Sequence, residues 1–131
     1  MIVLDASAAV ELVLRLPLGG KVAQRLADPD EAVHAPHLLG VEVAQVVRRY
    51  VHRGELGAQR ALEALGDLAD LDVVRHPHEP LLLRMWHLRD NLTAYDATYV
   101  ALAEALDAPL LTLDAGLANA PGHDARVELV P

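Results

Sequence analysis

The sequence predicts an α/β fold in which a central, mostly parallel sheet of about four to five short strands is covered by helices. Two observations carry this. Several short runs are wholly apolar, without the polar alternation of half-exposed strands, as expected of strands buried on both faces. Stretches with helical composition separate successive runs, and such alternation implies parallel strands joined by right-handed helical crossovers.

The first run, Ile2-Val3-Leu4, ends at Asp5, and Ala6 to Leu14 follow with helical composition. Pro17-Leu18-Gly19-Gly20 reads as a turn before a second amphipathic run, Val22 to Ala27, closed by Asp28-Pro29-Asp30. Ala32-Val33-His34-Ala35 is a short strand, and Pro36 marks the entry to a long helix from about His37 to His52 that Gly54 stops. Gly57 to Leu71 reads as another helix and Asp72 to Arg75 as a third strand. His76-Pro77-His78-Glu79-Pro80 then opens a helix from Leu81 to about Arg89, ended by Asp90-Asn91. Tyr95 to Leu106 is strongly helical, Leu110 to Leu113 is an apolar strand ending at Asp114, and a helical turn leads to a last strand near Val127 to Val130. Repeats, low-complexity tracts and linkers are absent, and 131 residues suit one domain.

Composition excludes several classes of function. No stretch approaches the ~20 apolar residues of a membrane span, and residues 1–4 run into Asp5 without a secretory n-region, so the expected compartment is the cytoplasm. With no cysteine, thiolate nucleophiles and zinc-thiolate sites are ruled out. A net charge of −8 argues against a general nucleic-acid coating protein. Four acids neutralised by bound cations would leave the remainder at −4, and Lys21 is the only lysine.

Four acids stand out because each lies on an element otherwise dominated by apolar residues. Asp5 and Asp114 follow buried strands, where open parallel sheets bind ligands; each alone reads as a helix N-cap before it reads as a ligand. Thr93-Ala94-Tyr95-Asp96 has capping-box spacing, but the helix behind it is apolar around most of its circumference, at Tyr95, Ala97, Tyr99, Val100, Ala101, Leu102, Ala103 and Leu106. Glu42, Gln45, Arg49 and Arg53 form one polar stripe on a helix with apolar rows at Leu39, Val43, Val46, Tyr50 and at Val41, Ala44, Val47, Val51. The stripe is either solvated or faces a site, and the sequence leaves both open. Acids gathered in one place repel unless a cation compensates them. All-oxygen ligation favours a hard ion, Mg²⁺ or Mn²⁺.

The segments Ile2-Val3-Leu4-Asp5-Ala6-Ser7, Glu42, Tyr95-Asp96-Ala97-Thr98-Tyr99-Val100-Ala101-Leu102-Ala103 and Leu111-Thr112-Leu113-Asp114 resemble the PIN domain in order and spacing, over nearly the whole chain. The length is that of the VapC-like ribonuclease toxins. The resemblance implies a three-layer α/β/α single domain over residues 1–131. It also implies a metal-binding, catalytic quartet of Asp5, Glu42, Asp96 and Asp114, with Ser7 and Thr112 as supporting hydroxyls. Gln45 departs from the asparagine common three residues after the glutamate. The implied activity is Mg²⁺- or Mn²⁺-dependent endoribonucleolysis of tRNA or rRNA, by a homodimer inhibited by a VapB-like antitoxin. Arg49 and Arg53 are candidate phosphate contacts.

The pairs His76/His78 and His34/His37 invite a transition-metal reading, but neither is a helical i, i+4 pair and no third ligand accompanies them, which favours loop or cap roles. Leu81-Leu82-Leu83 with Met85-Trp86 reads as core, part of which could serve a dimer or antitoxin surface. Two rival functions are a catalytically silent PIN-like interaction module and an aspartate-based phosphotransfer domain. The second resembles families with a lysine late in the chain, whereas none follows Lys21, and Asp5-Ala6-Ser7 lacks a second aspartate.

Overall fold

The structure is a computed structural model describing residues 1–131. Five strands, β1 (Ile2–Leu4), β2 (Val33–Pro36), β3 (Val73–His76), β4 (Leu110–Thr112) and β5 (Val127–Leu129), form one sheet in the order β3-β2-β1-β4-β5. All neighbours are parallel, with Val3 opposite both His34 and Leu110. The helices are α1 (Ala6–Val13), α2 (Gly19–Arg25), α3 (Leu38–His52), α4 (Ala58–Asp70), α5 (Leu82–His87), α6 (Ala94–Leu106) and α7 (Ala115–Asn119), with a 3₁₀ turn at Glu79–Leu81.

From β1 the chain moves outward to β2 and β3, then crosses back to β4 and β5. Right-handed crossovers therefore put α1–α4 on one face and α5–α7 on the other. The contacts agree: α1 packs on α2, α3 and α4, while α6 packs on α5 and across β1, β2 and β4. The strand order reverses between β1 and β4, and such a switch point opens a crevice at the carboxyl edge of the sheet. Ile2, Val3, Leu4 and Leu110 are fully buried, as their unbroken apolar pattern requires. Seven consecutive residues of α6, Ala97–Ala103, are also buried. Its alanines let the helix lie close to the sheet.

Four expectations are corrected. Gly19 and Gly20 are the first turn of α2 rather than a turn before it. The chain turns at Arg15, whose φ is 54°, and again at Pro17-Leu18, the half of the predicted turn that holds. Glycine is needed at 19 because a Cβ there would lie 2.5 Å from the Glu11 carbonyl oxygen. The Glu11 carboxylate accepts the Leu18 N–H at 2.9 Å across the same junction. In the second correction, Leu81 is buried but Leu82, Leu83 and Trp86 are exposed, because α5 is a short helix lying outside α6. Thirdly, Val41 and Tyr95, assigned to apolar rows, are 69% and 63% exposed. Each sits in the first turn of its helix, where no other element covers it.

The histidines give the fourth. His34 lies inside β2, as the strand reading of Ala32 to Ala35 has it, and only His76, which closes β3 instead of opening a loop, is displaced. Their rings stack, with His34 Nδ1 and His76 Nε2 sharing a hydrogen bond at 2.9 Å. His78 does act as a cap, its Nε2 accepting the Leu38 N–H at the start of α3. No helix is long and apolar enough to cross a membrane.

Candidate active site at the carboxyl edge of the sheet

All four acids lie near helix N-termini at the carboxyl edge of the sheet, where helix dipoles favour negative charge. Asp5 follows β1 and is the N-cap of α1; Asp114 follows β4 and is the N-cap of α7. Glu42 is in the second turn of α3 and Asp96 in the first turn of α6. The two cap readings are thus correct as far as they go, and the caps sit on adjacent strands.

Asp5 is the most constrained of the four, 6% exposed. Its Oδ2 accepts hydrogen bonds from Ser7 Oγ at 2.6 Å and Thr112 Oγ1 at 2.7 Å, with a longer one from the Ser7 N–H at 3.4 Å. The hydroxyls are themselves anchored, because Ser7 Oγ accepts the Leu113 N–H and Thr112 Oγ1 accepts the Asp114 N–H, each at 3.0 Å. All the bonds to this carboxylate fall on Oδ2, so its other oxygen is left for a ligand. Parallel register explains the assembly: Leu4 is opposite Leu111, so the next residue on β4, Thr112, comes level with Asp5.

Asp114 Oδ1 accepts the Gly116 N–H at 2.8 Å. A Cβ on Gly116 would lie 2.9 Å from that oxygen, so glycine permits the close turn. Thr93 caps α6 by accepting the Asp96 N–H at 3.2 Å.

The acids share one field. Burial pushes the Asp96 carboxyl above its ordinary range, and the charges of Asp5 and Asp114 push it the same way, opposed by the Thr93 hydroxyl. Burial likewise raises Glu42; its neighbour Tyr99 opposes the shift and Asp5 and Asp96 add to it. Among the ion pairs of the molecule none involves any of the four. A carboxylate cluster without cationic partners is electrostatically frustrated.

Two residues missed at the level of sequence shape this site. Tyr99, fully buried on α6, sits beside Glu42, yet neither its hydroxyl nor Glu42 Oε1 completes a hydrogen bond. The available signal was a tyrosine inside a helix of alanine and aliphatic residues, since a buried phenol needs a partner. Tyr95, one residue before Asp96, borders a groove of about 380 Å³ whose other walls include Val41, Glu42, Gln45 and Arg49. The polar stripe therefore faces the site at Glu42, and Gln45 and Arg49 continue it along the groove. Arg53 caps the far end of α3, eleven residues from Glu42 and roughly 16 Å along the axis at 1.5 Å per residue.

The residues fit a hard divalent cation. The donors are all oxygen, Glu42 Oε1 is buried without a partner, and burial and mutual repulsion raise two of the carboxyls. No three acidic or histidine side chains converge closely enough to enclose an ion unaided. This suits a cation that keeps several waters, as Mg²⁺ does.

Comparison with known proteins agrees with this architecture. The PIN domain, as a family, matches residues 2–122. Ribonuclease VapC12 of Mycobacterium tuberculosis is 46% identical over 130 residues, covering 99% of each chain. Among solved structures, PAE2754 from Pyrobaculum aerophilum superposes with a TM-score of 0.73 at 23% identity, covering 96% of this chain and 82% of that one. A toxin–antitoxin complex from Klebsiella pneumoniae gives a TM-score of 0.66 at 20% identity, covering 100% and 98%. The family match over most of the chain, together with full-length identity to a curated relative, establishes that this chain belongs to the PIN-domain family.

Proposed function

We propose that this chain is a Mg²⁺- or Mn²⁺-dependent endoribonuclease, the cytoplasmic toxin of a toxin–antitoxin pair, built as a single domain over residues 1–131. The observation that carries the proposal is the set of four carboxylates at one sheet edge, free of any cationic partner, with Asp5 aimed by two hydroxyls. The 46%-identical relative is named a ribonuclease, which supports RNA as the substrate. A structural neighbour solved as a toxin–antitoxin complex supports a VapB-like antitoxin as partner. A homodimer and a tRNA or rRNA target belong to the same proposal.

Asp5, Asp96 and Asp114 would hold the ion directly or through water, with Glu42 completing the shell. When bound, the metal supplies charge at the scissile phosphate and acidifies water for in-line hydrolysis. The protein's own work is positional. Ser7 and Thr112 hold Asp5 through Oδ2 and leave its other oxygen to face the ion. Tyr99 is fully buried beside Glu42. Arg49, in the groove, is placed to neutralise a flanking phosphate; Arg53 can reach only a more distant one.

The test is incubation of antitoxin-free protein with total cellular RNA, with Mg²⁺, with Mn²⁺ and with chelator, beside Asp5→Asn. Discrete fragments that require metal and vanish in the variant are expected. Metal binding without cleavage of any RNA would instead identify a silent interaction module.

A further inference from the structure

We propose that the groove between the first turns of α3 and α6 is a nucleoside subsite that takes an unpaired base of the RNA, stacked on Tyr95. The inference rests on the ribonuclease reading and sharpens it, since it names the side chain that holds the strand beside the point of cleavage. The chain has four aromatic side chains of the Trp/Tyr type and no Phe, so each is placed at the expense of other uses. Tyr95 is spent on the surface, 63% exposed, one residue from Asp96. Across the groove Val41 is 69% exposed, an apolar wall facing solvent. The volume of about 380 Å³ is enough for a base and its sugar.

The lining is ordered along the groove by chemistry. Glu42 belongs to both the groove and the carboxylate cluster, so whatever lies in the groove is continuous with the reacting phosphate. Gln45, one turn further along α3, presents an amide that can both donate to and accept from a base edge. Arg49, the next turn, supplies the positive charge that a backbone phosphate requires in an otherwise acidic protein. Base stacking on an aromatic ring with a cation on the adjacent phosphate is the way proteins hold unpaired strands. A base within a duplex has no free face to offer Tyr95.

Binding is measured by fluorescence anisotropy of labelled hexauridylate and hexaadenylate, single-stranded and as the mutual duplex, with Mg²⁺ and in an Asp5→Asn background that suppresses cleavage. Tyr95→Ala should weaken single-strand binding roughly 5- to 100-fold, the range for loss of one stacked base, while Tyr95→Phe, which keeps the ring, should recover most of it. Arg49→Gln should weaken binding and lower its salt slope by about one. Trp86→Ala, an exposed aromatic on α5 outside the groove, should change nothing. Unweakened binding by Tyr95→Ala, equal binding of the duplex, or an equal loss in Trp86→Ala overturns the subsite. So does a loss confined to the oligomeric mass of Tyr95→Ala by light scattering, which would make the groove a protein interface. If the Asp5 parent cleaves cellular RNA while the subsite variants bind normally, the ribonuclease reading stands and the subsite falls; if the parent cleaves nothing and the background binds neither oligomer, both fall.

Discussion

Two sets of acidic side chains contrast in this molecule. Away from the switch point, Glu31, Glu104 and Glu128 are clamped by arginine. Arg84 grips Glu104 through two bonds of 2.8 Å, and the Asp124 N–H adds a third at 2.9 Å. Arg25 joins α2 to the far strand through Glu128, at 2.7 Å, and also pairs with Glu31. In both clamps the guanidinium holds the carboxyl, Glu104 or Glu128, below its ordinary range. At the carboxyl edge of the sheet the same residue types meet no arginine, and Glu42 and Asp96 shift the opposite way. Clamped acids hold elements together, whereas the unclamped ones are disfavoured by burial and by one another's charge. That difference separates a structural carboxylate from a candidate ligand more sharply than position in the sequence does.

The comparison breaks first on activity. Asp5→Asn should lower RNA cleavage by at least about 10²-fold, since loss of a supporting group around a metal typically costs 10- to 100-fold and loss of a ligand costs more. Single-turnover assays with Mg²⁺ and unchanged far-UV circular dichroism would check it; retained cleavage would remove Asp5 from the site. Thr112→Val should act through Asp5, lowering activity roughly 10- to 100-fold, with part of the loss recovered at high Mg²⁺ concentration. Loss that ignores Mg²⁺ would mean that Thr112 has another role.

Stability sharpens the contrast. Glu42→Gln removes a carboxylate that burial and the charges of Asp5 and Asp96 disfavour, and should raise the thermal midpoint of the metal-free protein near neutral pH. The variant should also gain less from added Mg²⁺ than the parent. Thermal melts with and without Mg²⁺ decide, and a destabilised metal-free variant would deny the frustration.

The smallest effect belongs to the clamps. Glu104 and Glu128 have folded-state pKa values below those of the unfolded chain, so their contribution is complete above about pH 4.3 and disappears as pH falls through the lower folded values. Arg84→Gln should flatten part of this acid dependence. The change should stay below about 1 kcal/mol, because the Arg84 side chain is 36% exposed and solvent screens the pair. Urea unfolding at pH 3 to 7 would measure it.

How far the site could be read depended on how local each signal was. Asp5 and Asp114 are legible because an acid directly after a buried strand marks the carboxyl edge whatever surrounds it. Asp96 is legible as inward-facing through the apolar circumference of α6. Glu42 was left open, since periodicity defines a stripe but not what faces it; Tyr99, Asp5 and Asp96 come to it from other elements. Tyr95, Val41, Leu82, Leu83 and Trp86 were misassigned for the same reason, being apolar residues at helix starts or on an outer helix where nothing covers them.

The sequence by itself determined the alternation of strands and helices, the parallel sheet and the place of Asp5 and Asp114 at its carboxyl edge, because these follow from apolar runs, crossover handedness and residue order; Glu42 and Asp96 joined them only through the family resemblance. Tertiary structure alone decided that Ser7 and Thr112 share one oxygen of Asp5, that His34 pairs with His76, and that Tyr95 stands open beside Glu42. The physical reason is that burial and hydrogen bonding belong to pairs of residues far apart in the chain, 107 positions for Asp5 and Thr112. Such a pair exists only once strand register has set its two members side by side.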